Sequence, residues 1–219
     1  MEFRDRIEAG RELAKRVVAY ANQPNVLVLG IPRGGVPVAY EVAKELHAPL
    51  DVFIVRKLGV PGQEELGFGA IASGGIRFLD RDIVEAVGIS DAEIERIAAV
   101  QWKELERRER AYRGGQARLS VKGQTVILVD DGIATGSSMQ AAIRTLRHMS
   151  PSRLVVAVPV APITTCRRLM PELDDLICLY MPESFYAIGQ FYEDFSQVSD
   201  QEVTHLLQKA AQEPARGVA

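Results

Sequence analysis

Short apolar runs alternate along this chain with stretches of helical periodicity. Val26–Leu29, Val52–Val55, Thr125–Val129, Leu154–Val160 and Ile177–Tyr180 are rich in β-branched residues and almost free of polar ones. Runs of this kind predict strands covered on both faces, as in parallel sheets. Between them, apolar residues recur at helical spacing: Phe3, Ile7, Leu13, Ala14, Val17 and Val18; Val38, Ala39, Val42, Ala43 and Leu46; Met139, Ala142, Ile143 and Leu146. Residues 26–55 therefore read as a strand–helix–strand unit with parallel strands. The fold class is α/β: an open, mainly parallel sheet flanked by helices. No repeat or linker divides the chain, so residues 1–219 are read as one domain.

Several segments depart from this alternation. Residues 56–69 are polar and punctuated by Gly59, Gly62, Gly67 and Gly69, and predict a long loop or lid. Ile71–Leu79, with Gly74-Gly75 at its centre, predicts a hairpin. Ser90-Asp91-Ala92-Glu93 is a capping box, and a charged helix to about Arg113 follows it. Residues 80–115 thus read as the hairpin end and a helical insertion, and 181–198 as a small hood. Ser199-Asp200-Gln201-Glu202 caps the last helix, and the tail from Glu213 to Ala219 is expected to fray.

With 219 residues, 47% hydrophobic and 25% charged, the chain can bury a sizeable core. A net charge of −3 provides no basic field for nucleic acid, so an anionic ligand should be small and captured locally. Residues 1–16 are charged throughout, and no apolar run approaches the ~18 residues of a membrane span. The expectation is a cytoplasmic protein with no membrane partner. Cys166 and Cys178 form no C-x-x-C pair and read as small buried residues, and His47, His148 and His205 are scattered.

The chemistry concentrates in Val126-Ile127-Leu128-Val129-Asp130-Asp131-Gly132-Ile133-Ala134-Thr135-Gly136-Ser137-Ser138. A rigid strand delivers two carboxylates to its C-terminal end, where open parallel sheets bind ligands. Ala134–Ser138 then offers hydroxyls and backbone N–H groups at a helix start, which suits a phosphate. The acids would repel a phosphate but suit sugar hydroxyls or Mg²⁺. Together the two ends call for a phosphorylated sugar.

This segment resembles the signature of the type I phosphoribosyltransferases. The resemblance implies that Asp130 and Asp131 hold the ribose hydroxyls and take part in Mg²⁺ binding. Ala134, Thr135, Gly136, Ser137 and Ser138 would grip the 5′-phosphate. Arg33-Gly34, after the first strand, is similar to the family's pyrophosphate loop, where a peptide bond is often cis. Arg56-Lys57 and the residues after them are similar to its second strand and closing lid. Phe185-Tyr186-Ala187-Ile188-Gly189 is loosely similar to the hood of purine-binding members, which makes Phe185 a candidate for stacking on a base. Some purine-specific members carry a carboxylate where this chain has Ala134. The implied activity is transfer of the 5-phosphoribosyl group from phosphoribosyl pyrophosphate to a small nitrogenous acceptor, with Asp130, Asp131 and Arg33 catalytic. The rival reading is a regulator that senses phosphoribosyl pyrophosphate or a nucleotide without turnover. A metal-dependent phosphohydrolase is a third. Oligomeric state stays open, a homodimer among the options.

Overall fold

The computed structural model describes residues 2–114 and 117–213, except the side chains of Glu64 and Glu65. The last six positions of the tail expected to fray lie outside the described residues. Five strands form an all-parallel sheet: β1 (Val26–Gly30), β2 (Leu50–Val52), β6 (Thr125–Val129), β7 (Arg153–Val160) and β8 (Asp175–Tyr180). Across the sheet they stand in the order β2-β1-β6-β7-β8. Within each central run, successive side chains serve opposite faces. Val26, Val28, Ile127 and Val129 pack under α1 (Arg6–Arg16) and α2 (Gly35–Leu46). Leu27, Leu29, Val126 and Leu128 pack under α5 (Ser137–His148) and α6 (Ile163–Leu169). Two helical layers explain why these strands read as unbroken apolar runs. The α/β expectation, with a mainly parallel sheet flanked by helices, is met.

From β1 the chain winds outward through α2 to β2, and from β6 through α5 to β7 in the other direction. The sheet therefore has its switch point between β1 and β6, where loops leave their C-terminal ends on opposite sides and open a crevice.

Three expectations need correction. The run Val52–Val55 is not one strand: β2 ends at Val52, and Val55 opens β3 (Val55–Val60) in a second sheet. Phe53 and Ile54 are the buried crossing between the sheets. Phe53 N–H donates to Gly30 O at 3.0 Å and Ile54 N–H to Ser73 Oγ at 3.1 Å. The expected loop 56–69 is largely a hairpin of β3 and β4 (Gln63–Ala72), turning at Pro61-Gly62 and extended by β5 (Ile76–Leu79). Gly67 and Gly69 are packing positions within β4. A Cβ on Gly67 would lie 3.0 Å from the stem of Lys57, and one on Gly69 would collide with the Phe78 carbonyl. The expected helix across residues 3–21 is interrupted: α1 ends at Arg16, and Val18–Tyr20 is a 3-10 turn.

The charged insertion forms α3 (Arg81–Val87) and α4 (Asp91–Arg113), the latter capped by the Ser90 side chain as its capping box requires. α4 buries Ile94, Ala98, Leu105 and Tyr112 against β3, β4 and α7 (Asp200–Gln212). No helix among the described residues is long and apolar enough to cross a membrane.

Candidate active site

The crevice at the switch point gathers two loops. From β1 comes Ile31-Pro32-Arg33-Gly34, with a cis peptide between Pro32 and Arg33, one bond before the Arg33-Gly34 pair marked by the resemblance. From β6 comes Asp130–Gly136. The two touch through glycine. A Cβ on Gly34 would collide with the Asp131 carboxylate, its Cγ being 2.7 Å away, and one on Gly35 would lie 2.8 Å from Asp130 Cα. Side chains at either position would push the loops apart.

The two acids differ in environment. Asp130 Oδ1 accepts a hydrogen bond from the Asp131 backbone N–H at 2.9 Å. Burial, and then the neighbouring Asp131 charge, push the Asp130 carboxyl well above the usual carboxylate range. Asp131 has a cationic partner: Arg6 Nε donates to its Oδ2 at 2.8 Å. The Asp131 carbonyl accepts from the Tyr192 hydroxyl at 2.6 Å. Burial also raises the Tyr192 phenol, so it stays a donor.

Gly136 adopts a left-handed conformation, φ 76° and ψ 2°, immediately before α5. That turn exposes Ala134, Thr135 and Ser138 and brings the Thr135 and Ser137 hydroxyls to 3.4 Å from each other. Backbone N–H groups at the start of α5 complete an anion-adapted surface. The loop is held from behind by α6. The Thr165 hydroxyl donates to Ala134 O at 2.9 Å, and the Arg168 guanidinium donates to the Thr135 carbonyl.

The remaining sequence candidates are spread more widely. Arg33 turns toward Asp200 at 3.9 Å, a long pair, and Asp200 also accepts from the Tyr112 hydroxyl at 2.9 Å. Burial and Asp200 push that phenol up to about 12. Arg56 and Lys57 lie on β3 and, with Arg96, Gln101 and Ser138, line a cleft of about 620 Å³. Arg56 Nε donates to Gln101 Oε1 at 2.9 Å. Burial, with Arg108 nearby, lowers the Arg56 pKa. Phe185 is packed into an aromatic group, its ring 5.5 Å from Phe191, whereas its neighbour Tyr186 is 89% exposed.

Arg6, Tyr192, Thr165 and Arg168 escaped the sequence reading. Each reaches the site from a distant element, and none sits in a local motif. The only hint was α6 itself, whose Arg167-Arg168 pair follows the short run after β7.

An acid pair and a left-handed glycine turn at the switch point of a parallel sheet define a class: α/β domains built to hold an anionic ligand at the strand ends. The chain belongs to the phosphoribosyl transferase family, whose domain model matches residues 3–195, and its resemblance to the type I phosphoribosyltransferases is thereby upheld. It is 45% identical over 208 residues to a Mycobacterium tuberculosis protein provisionally named a phosphoribosyl transferase, covering 95% of this chain and 47% of that one. It is 30% identical over 188 residues to a ribose-phosphate pyrophosphokinase of Methanopyrus kandleri, covering 78% of this chain and 58% of that protein. The chain thus spans about half the length of these relatives. The solved structure of the protein TT1426 from Thermus thermophilus superposes with a TM-score of 0.87 at 41% identity, covering 95% of this chain and 99% of that one.

Proposed function

We propose that the protein transfers the 5-phosphoribosyl group of phosphoribosyl pyrophosphate to a nitrogen of a small, nucleobase-like acceptor and releases pyrophosphate. The observation that carries this reading is the juxtaposition of the Asp130–Asp131 pair with the Gly136 turn on one side and Gly34-Gly35 on the other. On this reading one crevice takes the 5′-phosphate at the Gly136 turn, the ribose hydroxyls at the acid pair and the pyrophosphate beside Gly34-Gly35, the order in which the donor carries them.

In the reaction the acceptor nitrogen donates its lone pair to C1 of the ribose while the C1–O bond to pyrophosphate breaks and its electrons leave with that oxygen. The transition state is oxocarbenium-like. Asp130 and Asp131 orient the ring through its hydroxyls and offset its growing positive charge. Arg33 swings from its long contact with Asp200 to meet the leaving pyrophosphate. Arg56 and Lys57 approach the same group from the β3–β4 hairpin, which closes over the crevice and keeps water out.

The acid pair suits Mg²⁺ in part. Among the described residues there is no cluster of three His, Cys, Asp or Glu side chains able to hold a metal, and Arg6 occupies one Asp131 oxygen. Mg²⁺ favours an octahedral shell of oxygens, so the pair would hold it jointly with donor oxygens and water. When bound, the ion neutralises charge on the pyrophosphate.

The test is pyrophosphate release from phosphoribosyl pyrophosphate and Mg²⁺ with a panel of nucleobases, for wild type and for Asp130→Asn/Asp131→Asn. Acceptor-dependent release by wild type, lost in the folded double variant, is expected. Tight donor binding without turnover on any acceptor would favour the sensing role, and full activity in the double variant would overturn the site.

A further inference from the structure

Asp131 is tied at once to the start of α1, through Arg6 on its carboxylate, and to the hood segment, through Tyr192 on its carbonyl. Phe3 and Tyr192 form a β-bridge. Phe3 N–H donates to Phe191 O, Glu193 N–H to Phe3 O and Asp194 N–H to Arg4 O, each at 2.8 Å. These bonds fix the start of α1 beside the hood and leave Arg6, the first residue of the helix, pointing into the crevice. There its guanidinium makes three contacts. Nε donates to Asp131 Oδ2 at 2.8 Å, Nη1 donates to the Ser196 carbonyl at 2.8 Å, and the guanidinium carbon lies 3.9 Å from the Phe195 ring centroid. The Phe195 ring lies 5.0 Å from that of Tyr192, whose hydroxyl bonds the Asp131 carbonyl. Arg6 and Asp131 side chains are each only 11% exposed.

A surface ion pair with these distances would mean little. This one is enclosed, it involves one of the two acids at the strand end, and the other two contacts of Arg6 belong to the hood, at Phe195 and Ser196. Arg6 takes one oxygen of Asp131, the Oδ2. It also offsets a unit of negative charge in a place where two carboxylates and a phosphorylated sugar would otherwise repel. A guanidinium can hold the carboxylate, the Ser196 carbonyl and the ring together because its donors lie in one rigid plane, which a lysine cannot match.

We infer that Arg6 is a positioning residue for sugar recognition: it fixes the rotamer and charge of Asp131 and couples them to the docking of the hood segment 192–196. This rests on the reading that the acid pair holds the ribose hydroxyls. The effect is specific to those hydroxyls, because Arg6 acts on Asp131 and the hood, whereas the phosphate turn at Gly136 is braced from α6 by Thr165 and Arg168.

The experiment compares two ligands by calorimetry, ribose 5-phosphate and methyl phosphate, which share a phosphate and differ in the sugar. Their affinity ratio reports recognition of the sugar apart from its phosphate, and the Arg6 and Asp131 variants report the part of it that runs through the acid pair. In wild type the ratio should favour ribose 5-phosphate by roughly tenfold or more, the scale of hydrogen bonds to a charged acceptor. Arg6→Gln should reduce the ratio to about twofold while leaving methyl phosphate affinity within about threefold, and Arg6→Lys should restore part of it. In an Asp131→Asn background, Arg6→Gln should change the ratio no further, since the two act as one unit. A wild-type ratio near one would remove the parent reading of the acid pair. A normal wild-type ratio that survives Arg6→Gln overturns the role of Arg6 alone. An equal loss for both ligands in a cooperatively melting variant would show a merely structural role and overturns it as well. Should Arg6→Gln not fold, Phe195→Leu, which removes only the ring beside the guanidinium, is read by the same ratio, and an unchanged value overturns the inference.

Discussion

Replacing Gly136 with alanine tests whether the turn before α5 is the phosphate site. The residue stands at φ 76°, where any L side chain costs roughly 1–2 kcal/mol. The added Cβ would also lie 2.7 Å from Thr165 Cγ2 and 3.0 Å from Arg168 Nη2. Thr165 can withdraw only by stretching its 2.9 Å hydroxyl bond to Ala134 O, a bond of about 0.5–1.5 kcal/mol. Arg168 would be displaced from the Thr135 carbonyl in the same movement. The whole penalty is roughly 2–4 kcal/mol. If the turn keeps its shape, the penalty falls on folding stability. If it relaxes toward an ordinary conformation, the penalty falls on affinity, where about 2 kcal/mol is roughly thirtyfold. Thermal or urea unfolding with and without ribose 5-phosphate, together with calorimetric binding, measures both parts. Gly136→Val should be worse in each. A Gly136→Ala protein with unchanged stability and unchanged ribose 5-phosphate affinity would refute the reasoning, because the strain would have gone nowhere and the phosphate would lie elsewhere.

Three further outcomes are expected. Asp130→Asn should raise the melting temperature of the ligand-free protein at neutral pH while abolishing turnover. Because the folded-state carboxyl titrates above its unfolded value, the folded state holds the extra proton between the two, so wild-type stability falls as pH rises through that window. The Asn variant should lose that slope in melts taken across pH, and a variant melting lower than wild type would contradict the assignment. Arg168→Ala should weaken ribose 5-phosphate binding about fivefold, or about 1 kcal/mol, with little change in fold, since the side chain is exposed and supports the Thr135 carbonyl from outside the core. Phe185→Ala should lower stability by breaking the stack on Phe191, whereas Tyr186→Ala should leave melting unchanged and raise the KM for the acceptor; the reverse pattern would place Phe185, not Tyr186, against the ligand.

The central layer was legible because each buried strand wrote itself as an apolar run, and the Asp130–Ser138 motif was legible because acids, glycine and hydroxyls lie consecutively. The hairpin at residues 55–72 was not. Its strands and turn carry Arg56, Lys57 and the glycines at 59, 62, 67 and 69, so period and propensity both argued for a loop, while the stabilising contacts come from α5 and α4. The break between Val52 and Val55 was invisible for a related reason: Phe53 and Ile54 are as buried as strand residues, and only their hydrogen-bond partners reveal the change of sheet. Arg6 and Tyr192 could not be paired with Asp131 from sequence, since their meeting depends on how the two ends of residues 3–195 close on each other.

That closure has a consequence for synthesis. A chain emerging from the ribosome carries its acid pair and its Gly136 turn by residue 138, yet the Tyr192 hydroxyl, the Phe195 ring and the Ser196 carbonyl arrive much later, and until then Phe3 has no bridge partner. A fragment ending before Phe191 would contain the whole signature motif, but its Asp131 would lack the Tyr192 hydroxyl and the hood contacts that seat Arg6, and it would also lack α7 and its buried Val203 and Leu207. The surroundings of Asp131 would therefore be completed only after the sheet that supports them.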